Sequence, residues 1–332
     1  MAPLKVGISL GDPGGIGPEV VLKALSERKF LPQAHYILFG SRWVVEKEEK
    51  SLGIRLNPAP LDPSSLSQSQ DPGVWLYEVE TPLEKVIKGA STKEQGQASF
   101  LYFQKAVKEA QKGTLQALVT APISKHSWRL AGIQWPGHTE YLNQIFPQAI
   151  MSFWSPKVKV ALYTHHLPLE EALKKVKQKP LLQFLLHLHR FIENIQPGRY
   201  SYLMAGLNPH AGEDGMLGSE EREEIKPALI QAQNKGMPVE GPFPPDVVFR
   251  KALHFPHKIV IGLYHDQALI PFKLEAFDEG VNATLGLSFI RTSPDHGTAF
   301  DIAEERKASP RSLREAIQLA GQLSPKPGSP SS

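Results

Sequence analysis

The chain has no cysteine among its 332 residues. Disulfides, thiolate metal sites and cysteine nucleophiles are therefore excluded, and any metal centre must be built from His, Asp and Glu. No apolar run approaches the ~20 residues that span a bilayer. Nothing near Met1 has the pattern of a signal peptide, since the first residues lead straight into a strand pattern, so a cytoplasmic protein is expected. There is no Lys/Arg block. Lys47, Lys50, Lys174, Lys175 and Lys177 sit among Glu or apolar residues at helical spacing, so the formal charge of +3 reads as solvated faces, not a nucleic-acid stripe. No G-x-G-x-x-G fingerprint and no Gly-Lys-Ser/Thr phosphate loop can be read.

What is present is an α/β chain. Its hydrophobic fraction of 41% supports a sizeable core, and its length suits two domains or one large α/β unit. Apolar runs near residues 4–10, 35–39, 117–120, 158–163, 200–205 and 259–263 read as strands. They alternate with helical segments, which implies a largely parallel sheet. Pro18 suits the first turn of a helix that follows Gly11-Asp12-Pro13-Gly14-Gly15-Ile16-Gly17. That segment reads either as a tight strand-to-helix turn or as a glycine loop lining a cleft. Ser91 with Glu94, and Thr92 with Gln95, offer capping-box spacing for a helix over 93–112. Leu181, Leu185, Leu188 and Ile192 share one face of another helix. The acidic run 219–224 suits the start of a third.

Four strands each end in a polar motif: TAPISK after 117–120, THHLPL after 158–163, NPHAGE after 200–205 and YHDQ after 259–263. Open α/β sheets bind ligands at the carboxyl ends of their strands, so these motifs point to one site. The stretch 259–303 is the richest, adding Lys273, Asn282, Arg291, Asp295 and His296. His166, His210 and His265 stand just past strands, and three imidazoles with an open position suit a catalytic divalent metal. Spacing alone does not separate His165 from His166. His187, His189, His254 and His257 read as structural or surface residues. Lys125, Lys273 and Arg291 are cations in strand-end loops, interleaved with Asn282 and Thr292. His138-Thr139 heads a helix, where free N–H groups favour an anion. A phosphate or carboxylate ligand fits this set better than surface ion pairing.

These motifs resemble the 4-hydroxythreonine-4-phosphate dehydrogenase family of vitamin B6 synthesis. The resemblance runs from GDPGGIGPE through TAPISK, GHTE, THHLPL, LNPHAGEDGMLG and YHDQ to VNATLGLSFIRTSPDHGTAFDIA, nearly the whole chain. It implies a two-domain α/β/α subunit, related to isocitrate and isopropylmalate dehydrogenases. The terminal domain would be 1–128 plus 296–323. A central domain of 129–295 would carry the metal ligands and dimer contacts, and 324–332 would be a disordered tail. It implies a homodimer with its active site at the subunit interface, and one divalent metal (zinc, magnesium or cobalt) held by His166, His210 and His265. His166 is chosen over His165 by the family pattern T-x-H-x-P-L. Substrate contacts carry over to His138, Thr139, Lys273, Asn282 and Arg291. Asp246 and Lys273 are candidates for proton transfer. By analogy with the related dehydrogenases, His296, Gly297, Thr298 and Asp301 would lie near NAD or NADP. Where relatives read A-G-K-G, this chain has Ala303-Glu304-Glu305-Arg306, a departure that bears on the cofactor loop.

The implied reaction is oxidation of 4-(phosphooxy)-L-threonine to 2-amino-3-oxo-4-(phosphooxy)butanoate. This product loses carbon dioxide to give 3-amino-2-oxopropyl phosphate, in pyridoxine 5'-phosphate biosynthesis. Competing expectations are a dehydrogenase of a phosphorylated sugar acid (phosphothreonate or phosphoerythronate), a phosphate acyltransferase-like enzyme, and a non-catalytic binder. Neither nucleic acid nor membrane is an expected partner.

Overall fold

The computed structural model describes residues 3–61, 72–253, 255–277 and 279–324. Of the tail expected over 324–332, residues 325–332 lie outside the described residues, as does His254, while Ser324 is buried with its N–H on the Ala320 carbonyl. The chain divides into two compact units, residues 1–147 with 287–332, and residues 148–286.

The first unit opens with β1 (Leu4–Ser9), α1 (Gly17–Ser26), β2 (Ala34–Gly40), α2 (Arg42–Leu52), β3 (Ala59–Pro60) and β4 (Val74–Glu78). It continues through α3 (Lys93–Gln111), β5 (Ala117–Thr120), α4 (Lys125–Leu130) and α5 (His138–Ile145). The second unit holds β6 (Ile150–Trp154), β7 (Lys159–Leu162), α6 (Leu169–Lys174), α7 (Gln178–Ile195) and β8 (Ser201–Ala205). Then come α8 (Lys226–Asn234), β9 (Val239–Phe243), α9 (Pro245–Ala252), β10 (Lys258–Gly262), α10 (His265–Ala276) and β11 (Val281–Leu285). The chain returns to the first unit with β12 (Ile290–Pro294) and α11 (Arg311–Leu323).

The first unit's strands run β3-β4-β2-β1-β5-β12, with parallel pairing. β2 and β5 are buried along their whole length, as helix-covered parallel strands require. α3 starts at Thr92, whose hydroxyl accepts from the Gln95 N–H at 3.2 Å. Gln95 does not close the box. Its side chain takes the Ile87 N–H at 2.7 Å and donates to the Ala90 carbonyl at 2.8 Å. The glycine segment serves close packing: the Asp12 carboxylate accepts from the Gly14 N–H at 2.9 Å, and a Cβ on Gly15 would stand 2.8 Å from Thr298.

The unit boundaries differ from the expected divisions after 128 and 295. α5 belongs to the first unit because Tyr141 packs edge-on against Phe100 and Phe103 of α3, at 5.7 and 5.2 Å. β12 belongs there because it pairs with β5, setting Arg291 opposite Leu118.

The second unit's strands run β11-β6-β7-β10-β8-β9. β6 is antiparallel to β7 and β11, and the remaining pairs are parallel. α7 buries Leu181, Leu185, Leu188 and Ile192, the face its spacing marked. Val160, Leu203, Val260 and Phe272 lie in one apolar cluster. β7, β10 and β8 are adjacent and parallel, so THHLPL, YHDQ and NPHAGE leave the same edge of this unit's sheet. TAPISK follows β5 in the first unit.

Candidate active site

In the second unit the rings of His166 and His265 lie 5.7 Å apart, centroid to centroid. They line a cleft of about 260 Å³ with Thr164, His165, Tyr264 and Asp266. The Asp266 carboxylate accepts from His265 Nδ1 at 2.7 Å. A carboxylate partner puts the proton on Nδ1 and leaves Nε2 as the lone-pair nitrogen, the arrangement of metal-ligating histidines. His165 also packs on His166, 5.3 Å between ring centroids.

His210 sits differently. Residues 210–214 form a left-handed turn, with φ of 54, 55, 80, 41 and 53°. Only one of the five is glycine, and such geometry costs roughly 1–2 kcal/mol for each of the others. The turn folds Glu213 back onto His210, with Nδ1 to Oε1 at 2.5 Å, and this hydrogen bond raises the imidazole pKa. Among the described residues, no three His, Asp or Glu side chains gather closely enough to enclose a metal ion. The single chain thus brings His166 and His265 together and does not add His210 to them. The donor chemistry still suits a divalent cation, because His265 and His210 both have Nδ1 tied to a carboxylate.

In the first unit Arg291 is 3% exposed on β12. Its Nη2 donates to Thr120 Oγ1 at 2.7 Å and to His138 Nδ1 at 3.3 Å. Arginine can only donate, so Nδ1 accepts and the His138 proton resides on Nε2. That nitrogen is buried without a hydrogen-bond partner among the described residues, and the ring lies 4.3 Å from Phe103. Burial first, and the Arg291 charge second, hold the His138 pKa well below the ordinary imidazole value. Burial pushes Arg291 down to about 10, opposed by Glu140. A guanidinium kept charged at such cost suits a planar anion. Thr139 stands beside His138 in the first turn of α5. Lys125 opens α4 and lines a separate cleft of about 450 Å³ with His126, Arg129 and Trp135.

Lys273 lies half-buried on α10 and Asn282 half-buried on β11, both in the second unit. Asp246 is exposed in the first turn of α9, and its charge also raises the His210 pKa. His296, Gly297, Thr298 and Asp301 lie in the first unit. The Thr298 carbonyl accepts from the Ile16 N–H at 3.0 Å, and the space beside Gly297 is open. An open glycine on a segment fixed from behind can admit a flat ligand ring. The departure at 303–306 is anchored to the same region. Arg306 stands at φ 58° and its guanidinium binds Glu48. Glu48 also pairs with Lys88 at 3.2 Å, and Lys88 donates to the Gly15 carbonyl at 3.0 Å. The sequence motifs TAPISK, NPHAGE and YHDQ contain Thr120, Glu213 and Asp266, but spacing gave none of the three a role; only the structure sets Thr120 on Arg291 and the two carboxylates on their histidines.

Relatives set the class. The chain is 39% identical over 323 residues to 4-hydroxythreonine-4-phosphate dehydrogenase of Aquifex aeolicus, covering 96% of this chain and 98% of that one. It is 38% identical over 324 residues to D-threonate 4-phosphate dehydrogenase of Salmonella typhimurium, with the same coverage. The crystal structure of 4-hydroxythreonine-4-phosphate dehydrogenase from Klebsiella pneumoniae superposes with a TM-score of 0.85 at 32% identity, covering 97% of this chain and 98% of that one. The protein is an α/β dehydrogenase of this kind. It belongs to the family described as Pyridoxal phosphate biosynthetic protein PdxA, whose model matches residues 32–320. Membership implies a nicotinamide cofactor, a divalent metal and a small phosphorylated substrate.

Proposed function

We propose that the chain oxidises the C3 alcohol of 4-(phosphooxy)-L-threonine with NAD or NADP and a divalent metal, and that the β-keto acid formed then loses carbon dioxide. The observation that carries this reading is the His166–His265 pair at the carboxyl ends of adjacent parallel strands. When bound, the cation supplies Lewis acidity to the alcohol and the nicotinamide supplies the hydride acceptor. His166, His265 and His210 would hold the metal, and His296, Gly297, Thr298 and Asp301 would border the cofactor. Arg291, fixed by Thr120 and His138, would bind a phosphate or carboxylate with His138 and Thr139, and Lys273 and Asn282 are the substrate contacts proposed in the second unit. Holding both ends of a small substrate orients the C3–H bond. Asp246 or Lys273 takes the hydroxyl proton.

Homodimerisation through the second unit, in the cytoplasm, completes the proposal. Ile270 and Leu274 of α10 and Phe277 at its C-terminal cap recur at i, i+4 and i+7 and are 60, 81 and 75% exposed, an apolar stripe that a second copy would cover. A second reading, oxidation of D-threonate 4-phosphate, is favoured by the Salmonella typhimurium relative. The two substrates differ at C2, amine against hydroxyl. The test is NADH or NADPH formation with each, and with erythronate 4-phosphate, before and after chelation. Turnover of the amino substrate at least tenfold above the others in kcat/KM supports the first reading. The reverse order establishes the second, and chelator-resistant turnover removes both.

A further inference from the structure

The buried polar residues around the His210 turn do work that the ligand assignment leaves unexplained. Glu221, 2% exposed, lies in a π-helical turn ahead of α8. Its Oε1 accepts from the Leu207 and Asn208 N–H groups, each at 2.7 Å, and its Oε2 accepts from Asn208 Nδ2 at 2.8 Å. The carboxylate fills a notch between two glycines. A Cβ on Gly206 would stand 3.2 Å from Oε1, and one on Gly212 would stand 2.8 Å from Oε2. Gln267, 8% exposed, grips the same segment from the other side. Its Nε2 donates to the Gly206 carbonyl at 2.7 Å, and its Oε1 accepts from the Leu263 N–H at 2.7 Å. Leu263 directly follows β10, the strand that leads to His265, and Gly206 directly follows β8, the strand that leads to His210.

The geometry points to Glu221 and Gln267 as a buried clamp that fixes the entry to the His210 turn against the end of β10, and so holds His210 in place as a metal ligand. Neither side chain reaches the cation; both are positioning residues. Three consecutive residues, 206 to 208, each have one polar backbone group taken by these two side chains. The left-handed turn at 210–214 begins two residues further on. A turn in that backbone region does not hold itself, so its entry must be fixed from outside. Glu221 fixes it through hydrogen bonds and Gln267 ties it to β10. The inference rests on His210 and His265 being metal ligands, as proposed above.

The test is Zn²⁺ affinity of the full-length protein, measured by competition with a chromophoric chelator. Far-ultraviolet circular dichroism and melting check the fold of each variant. Glu221→Leu and Gln267→Leu are expected to weaken Zn²⁺ about 10- to 100-fold, the usual effect of losing a partner behind the ligands. KM for the nicotinamide cofactor should stay unchanged, which a general loosening of the fold would not leave intact. Glu221→Gln keeps an acceptor for the two N–H groups and is expected to restore affinity to within about threefold of wild type. If Gln267→Leu does not fold, Gln267→Met carries the test, since it keeps the length of the side chain, adds no charge and removes the donor to Gly206. Wild-type affinity in folded leucine variants overturns the clamp, as does an equal loss in Glu221→Gln and Glu221→Leu. Wild-type affinity in His210→Ala removes the ligand assignment itself, and the clamp with it.

Discussion

Arg291→Met should make the protein more stable and nearly inactive. Burial holds the guanidinium near pKa 10, well below an ordinary arginine. At about 1.4 kcal/mol per pKa unit, keeping that charge inside costs about 3 kcal/mol. Methionine fills comparable length without charge. It leaves Thr120 Oγ1 and His138 Nδ1 without their donor, a penalty of about 1 kcal/mol each. The balance is a gain of about 1 kcal/mol, or a rise in Tm of about 2 °C for a chain of this size. Function moves the other way. Removing one partner of a buried charge-assisted contact costs about 2–5 kcal/mol in binding, so kcat/KM should fall by about 30-fold or more. Inorganic phosphate gives the assay its internal control. At about 100 times its Kd it should stabilise the wild type by about 2.7 kcal/mol and the variant hardly at all. The reasoning fails if Arg291→Met melts several degrees below wild type, because the guanidinium would then be a structural brace. It fails equally if phosphate protects the variant as well as the wild type.

His138 titrates at about 6.5 when unfolded and well below that in the fold, so the unfolded chain binds more protons beneath that pH. Its contribution is whole above about pH 6.5 and lost as pH falls, at up to about 1.4 kcal/mol per pH unit. His138→Gln should flatten that part of the stability curve between pH 6.5 and 5, and parallel curves would refute the assignment. Lys159, 8% exposed and set 5.8 Å from the Trp154 ring centroid, is pushed down to about 8 by burial, with Arg199 adding to it. The unfolded lysine keeps its proton to about pH 10.4, so the strain on the fold is full below about pH 8 and fades above it. Lys159→Met should therefore raise stability in urea by up to about 3 kcal/mol at pH 7, with the gain shrinking towards pH 10. An equal effect at both values would refute it.

Much of the second unit could be read from residue order because its physics is local. The Leu181, Leu185, Leu188 and Ile192 stripe carries its own period, and a His just past an apolar strand marks a strand end wherever the sheet lies. What escaped depends on contacts distant in sequence. Thr120 meets Arg291 across 171 positions, and no local pattern announces that pairing. β12 pairs with β5, distant in sequence, for the same reason, and is grouped with the first unit. The acidic run at 219–224 read as helix-dipole chemistry, yet Glu221 faces inward onto backbone N–H groups. The left-handed turn was invisible because Ala211 and Glu213, which avoid positive φ, interrupt the residues that tolerate it.

These misreadings coincide with places where the chain breaks local rules, and they cluster around the candidate ligand groups. Arg291 is a charge kept in the interior. His166 at φ 45° and His210 at φ 54° hold a backbone region that non-glycine residues avoid. A fold selected for stability alone would use methionine at 291 and glycine at 166 and 210. Each exception leaves a candidate ligand group in position before any ligand arrives: a guanidinium with its partners set, and two imidazoles on backbone held at positive φ. Preorganisation of this kind lowers the ordering cost of binding and places it on folding instead. His265 needs no such strain, because the first turn of α10 carries it with Asp266 beside it. The three histidines therefore reach their positions by different means, and His210, on the most strained and exposed segment, is the one that depends most on support from buried neighbours.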